Sequence, residues 1–93
     1  MPLPGWALTH TGKTVEVLHS PDGGNCAFFM LTGIRQADPV VPNGQWFAVP
    51  QTHVGYKEML AILMVARLDG RPITVVTTGD IACGHAGVAA ILF

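Results

Sequence analysis

The fold is decided by one stretch of the chain, which is Tyr56-Lys57-Glu58-Met59-Leu60-Ala61-Ile62-Leu63-Met64-Val65-Ala66-Arg67-Leu68-Asp69-Gly70. Its eight central residues, 59–66, are apolar on every face of a helix, whereas a helix that packs on one core needs a single apolar stripe. The run is far shorter than the ~20 residues that span a bilayer, so protein rather than lipid must cover the second apolar face. We therefore expect a helix that packs on its own domain and also contacts another subunit, without membrane insertion.

The spacing divides this helix into two apolar faces. One face consists of Met59, Ile62, Leu63 and Ala66, and a neighbouring face consists of Leu60, Met64 and Arg67. One face should pack on the domain and the other on a subunit, and the spacing leaves open which is which. The candidate interface residues are Met59, Leu60, Ile62, Leu63 and Met64.

The composition agrees with self-assembly. Residues 1–93 are enough for one domain, near the lower end of sizes that support a core without staples or partners. Apolar residues make up 49% of the chain and charged residues only 12%, which is low for the surface of an isolated small domain. The net charge is -1 and the sequence has no cluster of Lys and Arg, so nucleic acid is not an expected partner.

Three strands are predicted before the helix. Residues 13–20 alternate between apolar and polar, and residues 25–32 form their partner across the turn Pro21-Asp22-Gly23-Gly24, so the two segments predict a hairpin. The third strand covers residues 45–49 and ends at Pro50.

Two strands are predicted after the helix, which should end at Gly70. Residues 72–78 are rich in β-branched side chains, and Gly79-Asp80 is a turn signal. Residues 87–93 are apolar throughout, as expected for a strand that is buried on both faces.

The order of these elements predicts the fold class. Five short strands with one helix between the third and the fourth is the order of the OB-fold, a five-stranded Greek-key barrel, so we expect a single OB-fold domain over residues 1–93, of the all-β to α+β class. An open α+β sandwich with the same element order is the alternative, because strand order cannot be inferred from one sequence.

The second half of the chain resembles a known family, the small OB-fold B subunits of AB-type toxins. The resemblance is to the subtilase-cytotoxin and pertussis-like branch and its uncharacterised bacterial relatives. It rests on residues 56–60 at the helix start, residues 69–75 entering a strand, Cys83, and the terminal residues 88–93. In the first half only residues 15–17 and 26–29 match, and the sugar-contacting residues of the family have no match.

This resemblance implies a ring of five subunits whose helices line a pore, and binding of cell-surface glycans. It also implies a disulfide between the second strand and the loop before the last strand, where Cys26 and Cys83 stand. By themselves, two cysteines are compatible with one disulfide or with two free thiols. In a further alternative, Cys83-Gly84-His85 would supply a thiolate nucleophile and its base, but no orienting third group is evident.

Other candidate site residues are few. Trp46 is the candidate ligand residue, because aromatic faces stack on sugar rings; Trp6 and Phe47 are weaker candidates, and the alternative is that each fills a core or an interface. The histidines His10, His19, His53 and His85 lack the paired spacing of a metal site, and the carboxylates include no adjacent pair. We therefore predict no catalytic residue, no metal and no cofactor.

The leading hypothesis is a noncatalytic, homopentameric binding module for a cell-surface glycan. The alternative is a cytoplasmic structural or interaction protein with the same ring and no glycan ligand, and a small enzyme comes third. The compartment stays open, because residues 1–6 lack a basic export region. The protein would be secreted or periplasmic if the chain is a mature form, and cytoplasmic if Met1 is native.

Overall fold

The computed structural model describes residues 8–19 and 25–93, which contain six strands and one helix. The elements in chain order are β1 (Thr9–Lys13), β2 (Val15–His19), β3 (Cys26–Leu31), β4 (Phe47–Pro50), α1 (Tyr56–Asp69), β5 (Ile73–Ala82) and β6 (His85–Leu92). Across these two ranges, no helix has the length and apolar character needed to cross a membrane.

The six strands form one sheet in the order β1-β5-β6-β4-β3-β2. Neighbouring strands are antiparallel except β4 and β6, which run parallel. The two outermost strands, β1 and β2, are consecutive in the chain and only Thr14 lies between them. The sheet must therefore curve until its outer strands come together at Thr14, whose carbonyl accepts a hydrogen bond from the backbone N–H of Thr32 at 2.9 Å.

The structure is α+β, and it is not the five-stranded OB-fold barrel that we predicted. The strand predicted over residues 13–20 is present as β2, and an unpredicted strand, β1, precedes it. The β1 sequence Thr-His-Thr-Gly-Lys contains no aliphatic side chain, so it has no apolar alternation. Pairing with β5, and not the pattern of its own residues, makes this segment a strand.

The second part of the sheet also differs from expectation. Gly79-Asp80 is not the end of a strand, because β5 continues to Ala82 with an irregular register between Thr77 and Ile81. Gly79 has φ 86°, so the turn signal marks a bulge inside the strand. The prediction that the last strand is buried on both faces is wrong, since Ala89 and Leu92 are exposed.

Several other predictions are confirmed. β2 and β3 form the predicted antiparallel hairpin, with His19 opposite Phe28, and the third strand is present as β4. The helix ends at Gly70, whose φ of 66° is the left-handed conformation that glycine adopts most easily. The turn at residues 21–24 and the side chain of Trp6 lie outside the described residues.

The core lies between the inner face of the sheet and one face of α1. The helix packs against β2, β4 and β6. Phe29 and Phe47 stack at the centre with ring centroids 4.9 Å apart, an arrangement worth about 0.5–1.5 kcal/mol beyond the area that the rings bury. The largest fully buried apolar side chains are Phe29, Phe47, Leu31, Leu63, Ile73, Val49, Val75 and Val88.

Candidate functional site

The outer face of β3 is the floor of the candidate site. Successive side chains of a strand point to opposite faces of the sheet. Ala27, Phe29 and Leu31 are buried on the core side, so Cys26, Phe28 and Met30 lie on the other side. Three different features, a disulfide, an aromatic cleft and a polar cleft, are built around these three residues in turn.

The aromatic cleft is an open depression of about 370 Å³ lined by His19, Phe28, Trp46 and His85. The hairpin register sets His19 directly opposite Phe28. Trp46 and His85 precede Phe47 and Ala86, which are buried on the core side, so the alternation places both on the outer face. Four different segments of the chain therefore supply one ring each.

Phe28 is the central ring of the aromatic cleft and contacts His85 and Trp46 edge to face. The centroids of Phe28 and His85 are 5.2 Å apart with an interplanar angle of 79°, and those of Phe28 and Trp46 are 6.4 Å apart at 78°. The ring centroid of Trp46 also lies 6.3 Å from that of His19 and 6.4 Å from that of His85, with the ring planes tilted. These contacts hold the rings in place while each stays partly exposed, which suits the stacking of a flat ligand face.

The predicted disulfide between Cys26 and Cys83 is present. Cys83 and Gly84 form the two-residue turn between β5 and β6, with φ of 50° and 79°, and His85 follows at once. The disulfide thus connects the start of β3, two residues before Phe28, to the turn that carries His85. Because the Cys83 sulfur is bonded to Cys26, it is not the free thiol that a nucleophile next to His85 would require.

The polar cleft lies further along β3, around Met30. It has a volume of about 220 Å³ and is lined by Glu16, Met30, Gly33, Ile34, Arg35 and Gln45. Glu16, Arg35 and Gln45 are exposed, so a carboxylate, a guanidinium and an amide are all available to a ligand above Met30.

The structure settles which face of α1 packs on the domain. Met59, Leu63 and Ala66 are buried and Ile62 packs against the core. Met59 and Leu63 are thus engaged within their own chain, and we withdraw them as candidate interface residues. Leu60 is half-buried, and Met64 is 51% exposed.

The opposite side of α1, which we call the outer helix face, consists of Ala61, Met64, Val65 and Leu68. These residues lie at i, i+3, i+4 and i+7, and Leu68 is 87% exposed. A depression of about 230 Å³ between Leu18 of β2 and the side chains of Met64, Arg67 and Leu68 extends this face onto the sheet. The result is a contiguous apolar surface that belongs to two elements.

A buried carboxylate that the sequence did not single out holds the loop before β4. Asp38 is fully buried, and its carboxylate accepts hydrogen bonds from the Thr77 hydroxyl and, at 2.9 Å, from the backbone N–H of Val40. The Thr77 hydroxyl oxygen in turn accepts a hydrogen bond from the backbone N–H of Leu8 at 2.8 Å. This network connects the loop to β5 and to the chain before β1, so its role is structural.

The four histidines separate into two groups. His19 and His85 line the aromatic cleft, whereas the His10 ring contacts the carbonyl of Ala37 at 2.7 Å and the Phe47 ring edge to face. The His53 ring accepts a hydrogen bond from the backbone N–H of Gly55 at the start of α1. Among residues 8–19 and 25–93, no three His, Cys, Asp or Glu side chains are grouped as a metal site requires.

Trp46 is the one residue of the aromatic cleft that the sequence predicts as a ligand contact, and His19, Phe28 and His85 were not predicted as its neighbours. A signal for two of them was present, because the predicted hairpin already places residue 19 near residue 28. His85 could not be placed, since its position depends on the parallel pairing of β4 with β6.

No protein-family model, curated protein or solved structure matches this chain.

Proposed function

We propose that this protein is a noncatalytic binding module that assembles with copies of itself, as a homopentameric ring, and binds a carbohydrate in the aromatic cleft. The single observation that carries the proposal is the aromatic cleft, in which Phe28, Trp46 and two imidazoles are partly exposed on the outer face of the sheet. Phe28 and Cys83 belong to the segments on which the resemblance to toxin B subunits rests in part; Phe28 lines this cleft, and Cys83 lies in the turn before His85.

The chemistry of the aromatic cleft suits a sugar. The C–H groups on one face of a pyranose ring make an apolar surface that packs on an aromatic ring, and its hydroxyl groups exchange hydrogen bonds with polar side chains nearby. Phe28 and Trp46 supply the ring surfaces, and His19 and His85 each carry two ring nitrogens at the cleft margin. A stacking surface with polar groups beside it favours a carbohydrate over a purely apolar ligand.

Self-assembly is supported by the outer helix face. Three aliphatic or thioether side chains, Met64, Val65 and Leu68, are 44–87% exposed along one side of a helix. Contiguous exposed apolar surface of this kind marks interaction sites on soluble proteins. A second copy is the simplest partner, because the low charged fraction of the whole chain also favours a protein with a buried interface.

Glycan binding is tested by a printed glycan array probed with the folded protein, followed by titration calorimetry of the best hit. Trp46→Ala should weaken binding about tenfold or more, because truncation of a tryptophan that anchors a ligand commonly costs about 2 kcal/mol. The matched control is Phe93→Ala, which removes an aromatic ring that is 53% exposed and does not line the aromatic cleft. A blank array, or equal affinities of the Trp46→Ala variant and the parent, would contradict the proposal.

Assembly is tested by native mass spectrometry and light scattering over a range of protein concentrations. A mass of about five chains of 9.9 kDa that does not change with concentration is expected. A monomer of 9.9 kDa at every concentration would remove the oligomer from the proposal.

A second candidate function is a structural or interaction protein that forms the same ring without a glycan ligand. The outer helix face favours it, since that surface calls for a protein partner whether or not the aromatic cleft is occupied. The two candidates differ in one result, because an oligomer that gives a blank array supports the second and excludes the first.

A further inference from the structure

We propose that the aromatic cleft and the polar cleft are two halves of one binding groove, and that its ligand is a linear oligosaccharide of at least two pyranose units. This inference rests on the proposed carbohydrate function and adds a second subsite, the polar cleft around Met30. One sugar unit stacks in the aromatic cleft, and the adjoining unit is held by hydrogen bonds in the polar cleft.

The two clefts lie side by side, because their lining residues come from the same segments of the chain. Phe28 and Met30 are two residues apart on the same face of β3, which separates them by about 6–7 Å at the usual rise of a strand. On one side, the consecutive residues Gln45 and Trp46 each line one cleft. On the other side, β2 supplies Glu16 to the polar cleft and His19 to the aromatic cleft. Two linked pyranose rings therefore fit along β3 with one ring over each floor residue.

The chemistry of the two halves differs in a way that matches an oligosaccharide. The aromatic cleft offers ring faces, which a sugar contacts through its C–H groups. The polar cleft offers an acceptor in Glu16, a donor in Arg35, and both in the amide of Gln45. Neighbouring hydroxyl groups on a sugar need a donor and an acceptor side by side, and the polar cleft supplies this combination without a large stacking surface.

The charges of the polar cleft also favour a sugar over an ionic ligand. Glu16 and Arg35 carry opposite formal charges, so this end of the groove has no excess charge with which to select a cation or an anion. Its floor residue Met30 and its wall residue Ile34 are apolar and partly exposed, which gives the C–H groups of the second unit a surface. In this subsite, the polar side chains would bind the sugar hydroxyls and the apolar floor would contact the C–H groups of the ring.

The test compares an oligosaccharide with its own monosaccharide. The probes are the best oligosaccharide from the array and the single sugar at its stacked end, each titrated calorimetrically against the parent protein. The oligosaccharide should bind about fivefold to tenfold more tightly, the gain expected from one or two additional hydrogen bonds to charged or amide groups. Equal affinity for the two probes would overturn the second subsite.

Variants of the polar cleft show which side chains provide the additional affinity for the oligosaccharide. Arg35→Ala and Gln45→Ala change exposed side chains and should each lower the affinity for the oligosaccharide about fivefold without changing the affinity for the monosaccharide. Trp46→Ala should weaken both. The matched control is Arg71→Ala, an exposed arginine that lines neither cleft.

The results separate this inference from the function on which it rests. If glycans bind and Trp46→Ala weakens them while Arg35→Ala and Gln45→Ala have no effect, carbohydrate binding stands and the second subsite is refuted. A blank array with folded protein refutes the carbohydrate function and the second subsite together. Loss of the oligosaccharide gain in Arg35→Ala or Gln45→Ala, with unchanged melting temperatures, establishes the extended groove.

Discussion

Loss of the Cys26–Cys83 disulfide should destabilise this domain more than most single substitutions. The bond joins residues 57 positions apart, so it removes a long closed loop from the freedom of the unfolded chain. The chain-entropy relation gives about 4 kcal/mol at 25 °C for a loop of 57 residues. Since a domain of this size has a total free energy of unfolding of about 5–15 kcal/mol, the loss is a large share of it.

The double variant Cys26→Ala with Cys83→Ser tests this value. Alanine is chosen at position 26 because that side chain is buried and a hydroxyl there would need a new partner, whereas Cys83 is exposed and tolerates serine. For a chain of this length, 4 kcal/mol corresponds to a fall in melting temperature of roughly 15–30 °C. Thermal unfolding followed by circular dichroism measures it, together with urea unfolding to obtain the free energy directly.

The control uses the same pair of cysteines. Dithiothreitol should lower the melting temperature of the parent protein to about that of the double variant, and should leave the double variant unchanged. Thiol titration of the unfolded protein verifies that two thiols per chain have been released. If the fully reduced parent melts within about 5 °C of the oxidised protein, the entropic reasoning is refuted for this loop.

The remaining predictions concern the helix and the core. Leu68→Asp should convert the proposed oligomer to monomers without unfolding, because it places a charge on the outer helix face. Val54→Asp, at a residue that is 98% exposed before the helix, should leave the native mass unchanged. Leu63→Ala should lower the free energy of unfolding by about 3–4 kcal/mol in urea titrations, because a fully buried leucine leaves a cavity. Thr77→Val should lower the free energy of unfolding by about 2 kcal/mol, since the buried Asp38 carboxylate loses a hydrogen-bond donor. The control Thr52→Val, at an exposed residue, should lower it by less than about 0.5 kcal/mol. Equal losses in the two variants would contradict a structural role for the Thr77 hydroxyl.

Local patterns predicted the elements that form from their own residues. The hairpin β2–β3 was predicted by alternation, and α1 was predicted by its apolar run and by Gly70. β1 was missed because its five residues gain their strand structure from β5, some 60 positions away along the chain. At Gly79 the sequence predicted a turn where the strand continues, because a glycine inside a strand and a glycine at a turn have the same local signal.

The candidate site was predictable only in part, for a related reason. Trp46 was identified by its chemistry, and the cysteine pairing was implied by the resemblance to toxin B subunits and is confirmed. The aromatic cleft itself requires that β6 lie beside β4, and the parallel pairing of these two strands cannot be inferred from one sequence. Met59 and Leu63 were assigned to the interface because an all-round apolar helix does not reveal which face its own sheet covers.

One strand, β3, links the stability of this domain to the geometry of its candidate site. Its inward side chains Phe29 and Leu31 are part of the core, and its outward side chains Phe28 and Met30 are the floors of the two clefts. A shift of β3 by one residue would exchange these sets and expose the core, so the packing of Phe29 on Phe47 also fixes the register of the floor. The disulfide acts at the start of β3, where it holds the turn that carries His85.

Reduction of the disulfide at a low temperature, at which the protein stays folded, should therefore weaken the binding of a ligand in the aromatic cleft. The stacking of Phe29 on Phe47 in the core should change less. Titration calorimetry with and without dithiothreitol, alongside near-ultraviolet circular dichroism of the folded state, distinguishes this local effect from global unfolding.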